Sequence, residues 1–120
     1  METLKKNYEF SRVYRKGRYV SGQYLAINIL ENIYKHNRIG ISVSKKAYKS
    51  SVKRNLLRRR IKEIIRTAGF NLKEGHDIVF VVKKTELGVP EFADLKREIG
   101  NLLVKAKLTV KNEENTNQND

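Results

Sequence analysis

The chain has 120 residues, enough for one hydrophobic core, and its 39% apolar and 8% aromatic residues suffice to build it. Twenty-six Lys and Arg against 13 Asp and Glu leave a net charge of +13 and a pI near 10.1, which points to a polyanionic partner, nucleic acid or an anionic membrane surface. The lack of cysteine excludes disulfides, zinc–thiolate centres and thiol nucleophiles.

In chain order, residues 7–16 are the first expected helix. Asn7 can cap it, Phe10, Val13 and Tyr14 recur on one face, and Gly17 stops it. "RYVS", 18–21, reads as a short strand. "YLAINIL", 24–30, alternates, with Leu25, Ile27 and Ile29 to one side and Tyr24, Ala26 and Asn28 to the other. "RIGISVS", 38–44, sets Ile39, Ile41 and Val43 against Gly40, Ser42 and Ser44 in the same way. The intervening "ENIYKHN" predicts a turn, so the two strands are expected to pair as a hairpin. A second helix spans 51–68 and ends at Gly69, and "DIVFVV", 77–82, is an apolar run of strand length. Pro90 marks the start of a last helix with Phe92, Leu95, Ile99, Leu102, Leu103 and Ala106 at helical spacing. Residues 1–110 are expected as a single domain, and polar 111–120 as a disordered tail. The order αβ(β)βαβα predicts an α+β fold, a two-layer sandwich of helices on one sheet.

The charge is localised. Residues 35–66 hold twelve bases and one acid, and six of the ten residues 53–62 are Lys or Arg. On the second helix Leu57, Ile61, Ile64, Ile65 and Ala68 gather in an arc of about 100°, leaving Lys53, Arg54, Arg58, Arg59, Lys62 and Arg66 on or beside the solvent side. A merely solvated face would mix signs, with Glu and Lys four apart, and this one barely does. A membrane-surface helix needs apolar residues free to enter lipid, whereas these are needed for the core. Phosphate is the polyanion that such an array neutralises, and the Arg fork suits its oxygens. Leu56 alone projects from the cationic side.

Phe10 and Tyr14 lie one turn apart among Arg12, Arg15, Lys16 and Arg18. They are either core residues or a stacking platform for bases. The small, polar sheet face of Tyr24, Ala26, Asn28, Gly40, Ser42 and Ser44, with Lys45 and Lys46 beside it, would floor a groove for an extended single strand. Catalytic constellations are lacking: His36 and His76 stand in no ligand or triad spacing. Nothing in the spacing of Glu74, Asp77 and Glu86 requires a hydrated magnesium ion. A ribosomal-type RNA binder and a duplex-DNA binder stay open, though the helix has no helix-turn-helix partner.

"RIGISVSKKAYKSSVKRNLLRRRIKE" resembles the signature of the bacterial ribonuclease P protein subunit, here Ser44, Lys45, Lys46, Arg54, Asn55, Arg58, Arg59, Lys62 and Glu63. The opening "LKKNYEFSRVYRKGRYVSG" is similar to the family's at Phe10, Val13, Tyr14 and Gly17. The motif departs at Leu56, where the family often has Arg; Arg60, commonly apolar in the family, is expected to replace that contact in part. The resemblance implies a left-handed βαβ crossover and a small basic protein bound to a catalytic RNA. By the resemblance, that RNA, with Mg2+ held mainly on its own side, would remove the 5′ leader from precursor tRNA, and the protein would be the accessory subunit of an endoribonuclease. It implies that Lys53, Arg54, Asn55, Arg58, Arg59, Lys62 and Arg66 face the RNA, and that Phe10, Tyr14, Lys45 and Lys46 hold the leader. The expected partners are ribonuclease P RNA, one to one, and precursor tRNA, in the cytoplasm. No membrane or small-molecule cofactor is expected, and protein-side metal ligands and holoenzyme dimerisation stay open.

Overall fold

The most apolar strand lies at the centre of the sheet. In the computed structural model, which describes residues 2–86 and 88–109, the elements are β1 (Glu2–Thr3), α1 (Asn7–Lys16), β2 (Arg18–Ser21), β3 (Leu25–Glu31), β4 (Arg38–Ser42), α2 (Ser51–Thr67), β5 (His76–Val82) and α3 (Phe92–Lys105). The strands pair in the order β1-β4-β5-β3-β2. The expected tail, 111–120, lies outside the described residues.

The hairpin expected between 24–30 and 38–44 does not form, because β5 inserts between the two strands. It runs antiparallel to β3, from Leu25↔Val82 to Glu31↔His76, and parallel to β4, from Arg38↔Asp77 to Ser42↔Val81. The physical reason lies in its side chains. Ile78, Phe80 and Val82 point to one face and Val79 and Val81 to the other, and a central strand buries both. Because β4 and β5 are parallel neighbours, α2 joins them as a βαβ unit.

On one face, Leu25, Ile27 and Ile29 of β3 and Ile78 and Phe80 of β5 meet Leu57, Ile61 and Ile64 of α2 and Leu95, Ile99, Leu102 and Leu103 of α3. Sheet and helices there are the two layers of the expected α+β sandwich. α1 lies against the opposite face, where Val13 and Val79 join Leu4 in a smaller cluster flanked by Phe10, Leu30 and Val81.

Helix ends follow local chemistry. The N-cap of α1 is Lys6, one residue ahead of the expected Asn7. The Glu9 carboxylate, three residues on, accepts from the N–H groups of Lys5 and Lys6 at 2.9 Å each, so the otherwise unpaired donors are met from inside the helix. Gly17 stops α1 with extended backbone, and what demands glycine there is space: a Cβ would sit 2.5 Å from the Val13 carbonyl oxygen and 2.6 Å from that of Ile29. Ser50 caps α2 by accepting from Lys53 N–H at 3.3 Å. Helix α3 begins at Phe92 behind an N-cap of Glu91, so Pro90 stands just outside it.

From α3, Glu98 reaches the β2–β3 turn and accepts three backbone N–H groups, from Gln23 (2.6 Å), Tyr24 (2.7 Å) and Leu25 (2.6 Å). Any side chain at Gly22 would meet that carboxylate, its Cβ 2.7 Å from Cδ. Glu98→Ala leaves these donors without their acceptor and is expected to lower stability by about 2 kcal/mol, seen as a lower urea midpoint at unchanged m value. An unchanged midpoint would show that the turn holds itself.

Candidate nucleic-acid interface

Helix α2 is anchored by Leu57, Ile61 and Ile64, all buried, with Ile65 and Ala68 half-buried at the margin of the core. Its charges divide into two groups. Arg54 donates to the carbonyls of Tyr48 (3.0 Å) and Lys49 (2.8 Å), tying the first turn to the connection from β4. Arg60 donates to the Pro90 carbonyl at 2.6 Å and ties α2 to the start of α3. One donor of Arg60 is thus spent on a structural bond, and its remaining donors are those left for the phosphate contact expected of it. Lys53, Asn55, Arg59, Lys62 and Arg66 are exposed, while Leu56 is half-buried. Arg66 pairs with Glu63 at 2.6 Å; among the described residues Lys53, Arg59 and Lys62 have no acidic partner.

Arg58 is half-buried, and its Nη1 donates to Asn55 Oδ1 at 3.0 Å. It faces a groove of about 370 Å³ between α1 and the end of β4, lined also by Phe10, Ser11 and Tyr14 and by Ser42 and Val43. The Phe10 and Tyr14 rings are 6.5 Å apart, tilted by 50°. Tyr14 is 44% exposed while Phe10 is half-buried, so the core position of this helix face belongs to Val13. Phe10 lies over Gly40, where a Cβ would approach its ring to 2.6 Å. A bare strand backbone is what lets the ring sit at the groove wall.

The structure thus joins Phe10, Tyr14 and Arg58, which sequence reasoning had placed in two separate groups. Lys45 and Lys46 occupy an exposed turn after β4 and do not line this groove. Tyr24, expected on its floor, packs against the main core, and Ser44 lies beyond β4 with its Oγ accepting from Ala47 N–H at 3.2 Å.

What sets α1 against the sheet is a buried ion cluster that the sequence reading missed. The Arg38 guanidinium donates to Asp77 through Nε (2.8 Å) and Nη2 (2.7 Å), and to Glu9 through Nη1 (2.9 Å). Asn32 donates to the same Asp77 at 2.8 Å, and Asp77 is 2% exposed. Glu9 thereby caps α1 with one oxygen and holds Arg38 with the other. Its carboxyl lies below the usual range, first because of the Lys6 and Lys5 N–H groups and then because of Arg38. Burial pushes the Asp77 carboxyl up, but the hydrogen bonds from Arg38 and Asn32 outweigh it and hold the group low. The Arg38 guanidinium is held protonated, chiefly by its hydrogen bond to Asp77. The available signal was a charged residue heading each of two apolar strands. Asp77 is thus engaged by Arg38, and among the described residues no three metal-ligating side chains cluster.

Comparison with known proteins follows the same outline. A family model described as Ribonuclease P matches residues 1–107. The chain belongs to the ribonuclease P protein family. The Ribonuclease P protein component of Clostridium acetobutylicum is 44% identical over 114 residues, 93% of this chain and 94% of that one. Its counterpart in Thermoanaerobacter sp. is 39% identical over 110 residues, 92% of this chain and 93% of that one. Among solved structures, the Staphylococcus aureus RNase P protein superposes with a TM-score of 0.79 at 28% identity, covering 92% of this chain and 99% of that one. The Thermotoga maritima RNase P protein gives 0.75 at 25%, covering 93% and 100%. The family fold is therefore the fold described above. Among the described residues no helix is long and apolar enough to cross a membrane.

Both clustered carboxyls have folded pKa values below their ordinary 4.5 and 3.8, so their stabilisation is complete above those values and is lost as pH falls through the lower folded ones. Urea midpoints are expected to drop as pH falls below about 4. Arg38→Met, which strands Asp77 in the interior, is expected to cost about 3–5 kcal/mol at neutral pH. A midpoint unmoved by either change would remove the cluster from the account of the fold.

Proposed function

We propose that this ribonuclease P protein component binds the catalytic RNA through the outer face of α2 and the single-stranded 5′ leader of precursor tRNA in the Phe10–Tyr14 groove. It thereby promotes the magnesium-dependent endonucleolytic cut that yields the mature 5′ end. The observation that carries this reading is the adjacency of the two surfaces: Arg58 lines the aromatic groove and also belongs to the cationic helix. A strand lying on Phe10 and Tyr14 meets positive charge continuous with that of α2. The chemistry stays with the RNA and the magnesium it holds. The protein supplies counter-charge and a place for the leader, in a one-to-one particle acting in the cytoplasm.

On α2, Lys53, Arg59, Lys62 and Arg66 are the phosphate-neutralising charges, and Asn55 orients Arg58. Arg54 contributes chiefly by shaping the entry to the helix. Lys45 and Lys46, on the turn that leads to α2, meet the strand where it leaves the groove.

Two measurements test this division. Arg59→Ala with Lys62→Ala is expected to weaken binding to the catalytic RNA and to lower the slope of log K against log salt by about 1–2, since two phosphates are no longer neutralised. An unchanged slope would show that the helix face is idle. Phe10→Ala is expected to weaken binding of leader-bearing precursor tRNA to the holoenzyme by about 1–3 kcal/mol and to leave mature tRNA unaffected. Equal losses for both RNAs would point to a damaged fold.

A further inference from the structure

Among the described residues, the outer edge of β4 is unpaired beyond Ile39. β1 pairs with it only at Arg38 and Ile39 before the chain leaves for α1. Ile39 gives its carbonyl to Leu4 N–H at 2.8 Å. By the two-residue period of a strand, Ile41 turns its own N–H and C=O to the same edge, where no described strand lies. Against this edge, between β4 and α2, runs a second groove of about 430 Å³. Its floor is Ile39, Ile41 and Ile65, with Thr3 at one end and Lys62 and Arg66 at its rim. Ile41 lines both grooves, so the two meet at that residue. Arg58, Lys62 and Arg66 stand four apart along α2, in steps of about 6 Å on one face. The first stands at the aromatic groove and the other two at the apolar one.

We propose that this apolar groove is a nucleotide site, which takes one unpaired base of the catalytic RNA onto Ile39, Ile41 and Ile65 with the flanking phosphates on Lys62 and Arg66. The inference rests on the reading of α2 as the catalytic-RNA face. Three features favour RNA as occupant. The rim charge is cationic, and the nearby acid, Glu63, is engaged by Arg66 at 2.6 Å. The Ile41 main chain offers a donor and an acceptor within reach of a base edge. The volume lies within the range of small-ligand sites. An apolar peptide would cover the same floor but leave Lys62 without an answering charge, and a second copy of the chain, itself at +13, would bring like charge to a cationic rim. The leader strand is already placed in the aromatic groove, on the α1 side of Ile41.

Two variants of the full-length protein test the site in binding to ribonuclease P RNA: Ile65→Ser, which removes part of the floor, and Thr3→Trp, which fills the groove from its exposed end and spares the core. Each is expected to weaken catalytic-RNA binding roughly tenfold, about 1.4 kcal/mol, without changing the salt slope, because no phosphate contact is lost. Lys62→Ala should instead flatten that slope by about one. Base-specific chemical probing should show one unpaired base protected by the wild type and reactive with both variants, while discrimination between precursor and mature tRNA persists. Failure of the wild type to bind the catalytic RNA would sink the reading of α2 itself. Tight wild-type binding, matched by both variants with no change in base reactivity, would overturn the groove alone. Loss confined to leader-bearing tRNA would overturn it in favour of the leader strand. A changed sedimentation coefficient at unchanged RNA affinity would overturn it in favour of a second copy.

Discussion

Burial of β5 on both faces is the constraint from which the rest of the architecture follows. A strand carrying Ile78, Phe80 and Val82 on one side and Val79 and Val81 on the other is stable only with a strand on each edge and cover above and below. That demand separates β3 from β4 and places α2 and α3 on one face and α1 on the other. It brings Asp77, the second residue of β5, opposite Arg38, the first of β4. The resulting ion cluster reaches Glu9 and so fixes the helix that carries Phe10 and Tyr14. The aromatic groove is thus positioned by a chain of contacts that begins in the middle of the sheet.

The cationic helix is held together despite its charge by a division of labour among its arginines. Arg54 and Arg60 discharge part of their hydrogen-bonding capacity on main-chain carbonyls, at the entry to α2 and at the approach to α3. Arg58 is steered by Asn55 toward the groove. The charges left outward repel one another, and that repulsion is relieved when a polyanion binds and releases its counterions. A helix that is modestly stressed alone and relaxed on RNA needs its apolar side firmly seated. Leu57, Ile61 and Ile64 supply that seat.

Much of this was legible in the sequence because it is local. Helix and strand periodicities located α1, β2, β3, β4, α2, β5 and α3 to within a residue or two, since side-chain spacing on one element does not depend on its partners. Strand pairing was not legible: alternation at 25–31 and 38–42 names a buried face but not a neighbour, and the short link suggested a hairpin that β5 displaces. The ion cluster joins residues 29 and 39 apart in sequence, and the Glu98 clasp joins residues 73 to 75 apart. No local pattern marks either. In the site, Phe10, Tyr14 and the α2 charges could be named from composition, spacing and family resemblance. Which arginines turn inward to carbonyls, and that Lys45 and Lys46 stand clear of the groove, depended on packing that no spacing encodes.

The central claim, that a cationic helix and an aromatic groove together serve the removal of a tRNA leader, is tested most directly by cleavage. Precursor tRNA would be incubated with bacterial ribonuclease P RNA at low magnesium, with and without this protein, and the 5′ ends mapped. The account predicts strong stimulation of cleavage at the mature 5′ end, lost when the leader is shortened to a single nucleotide. Tight binding to the catalytic RNA with no stimulation, or stimulation indifferent to leader length, would contradict it.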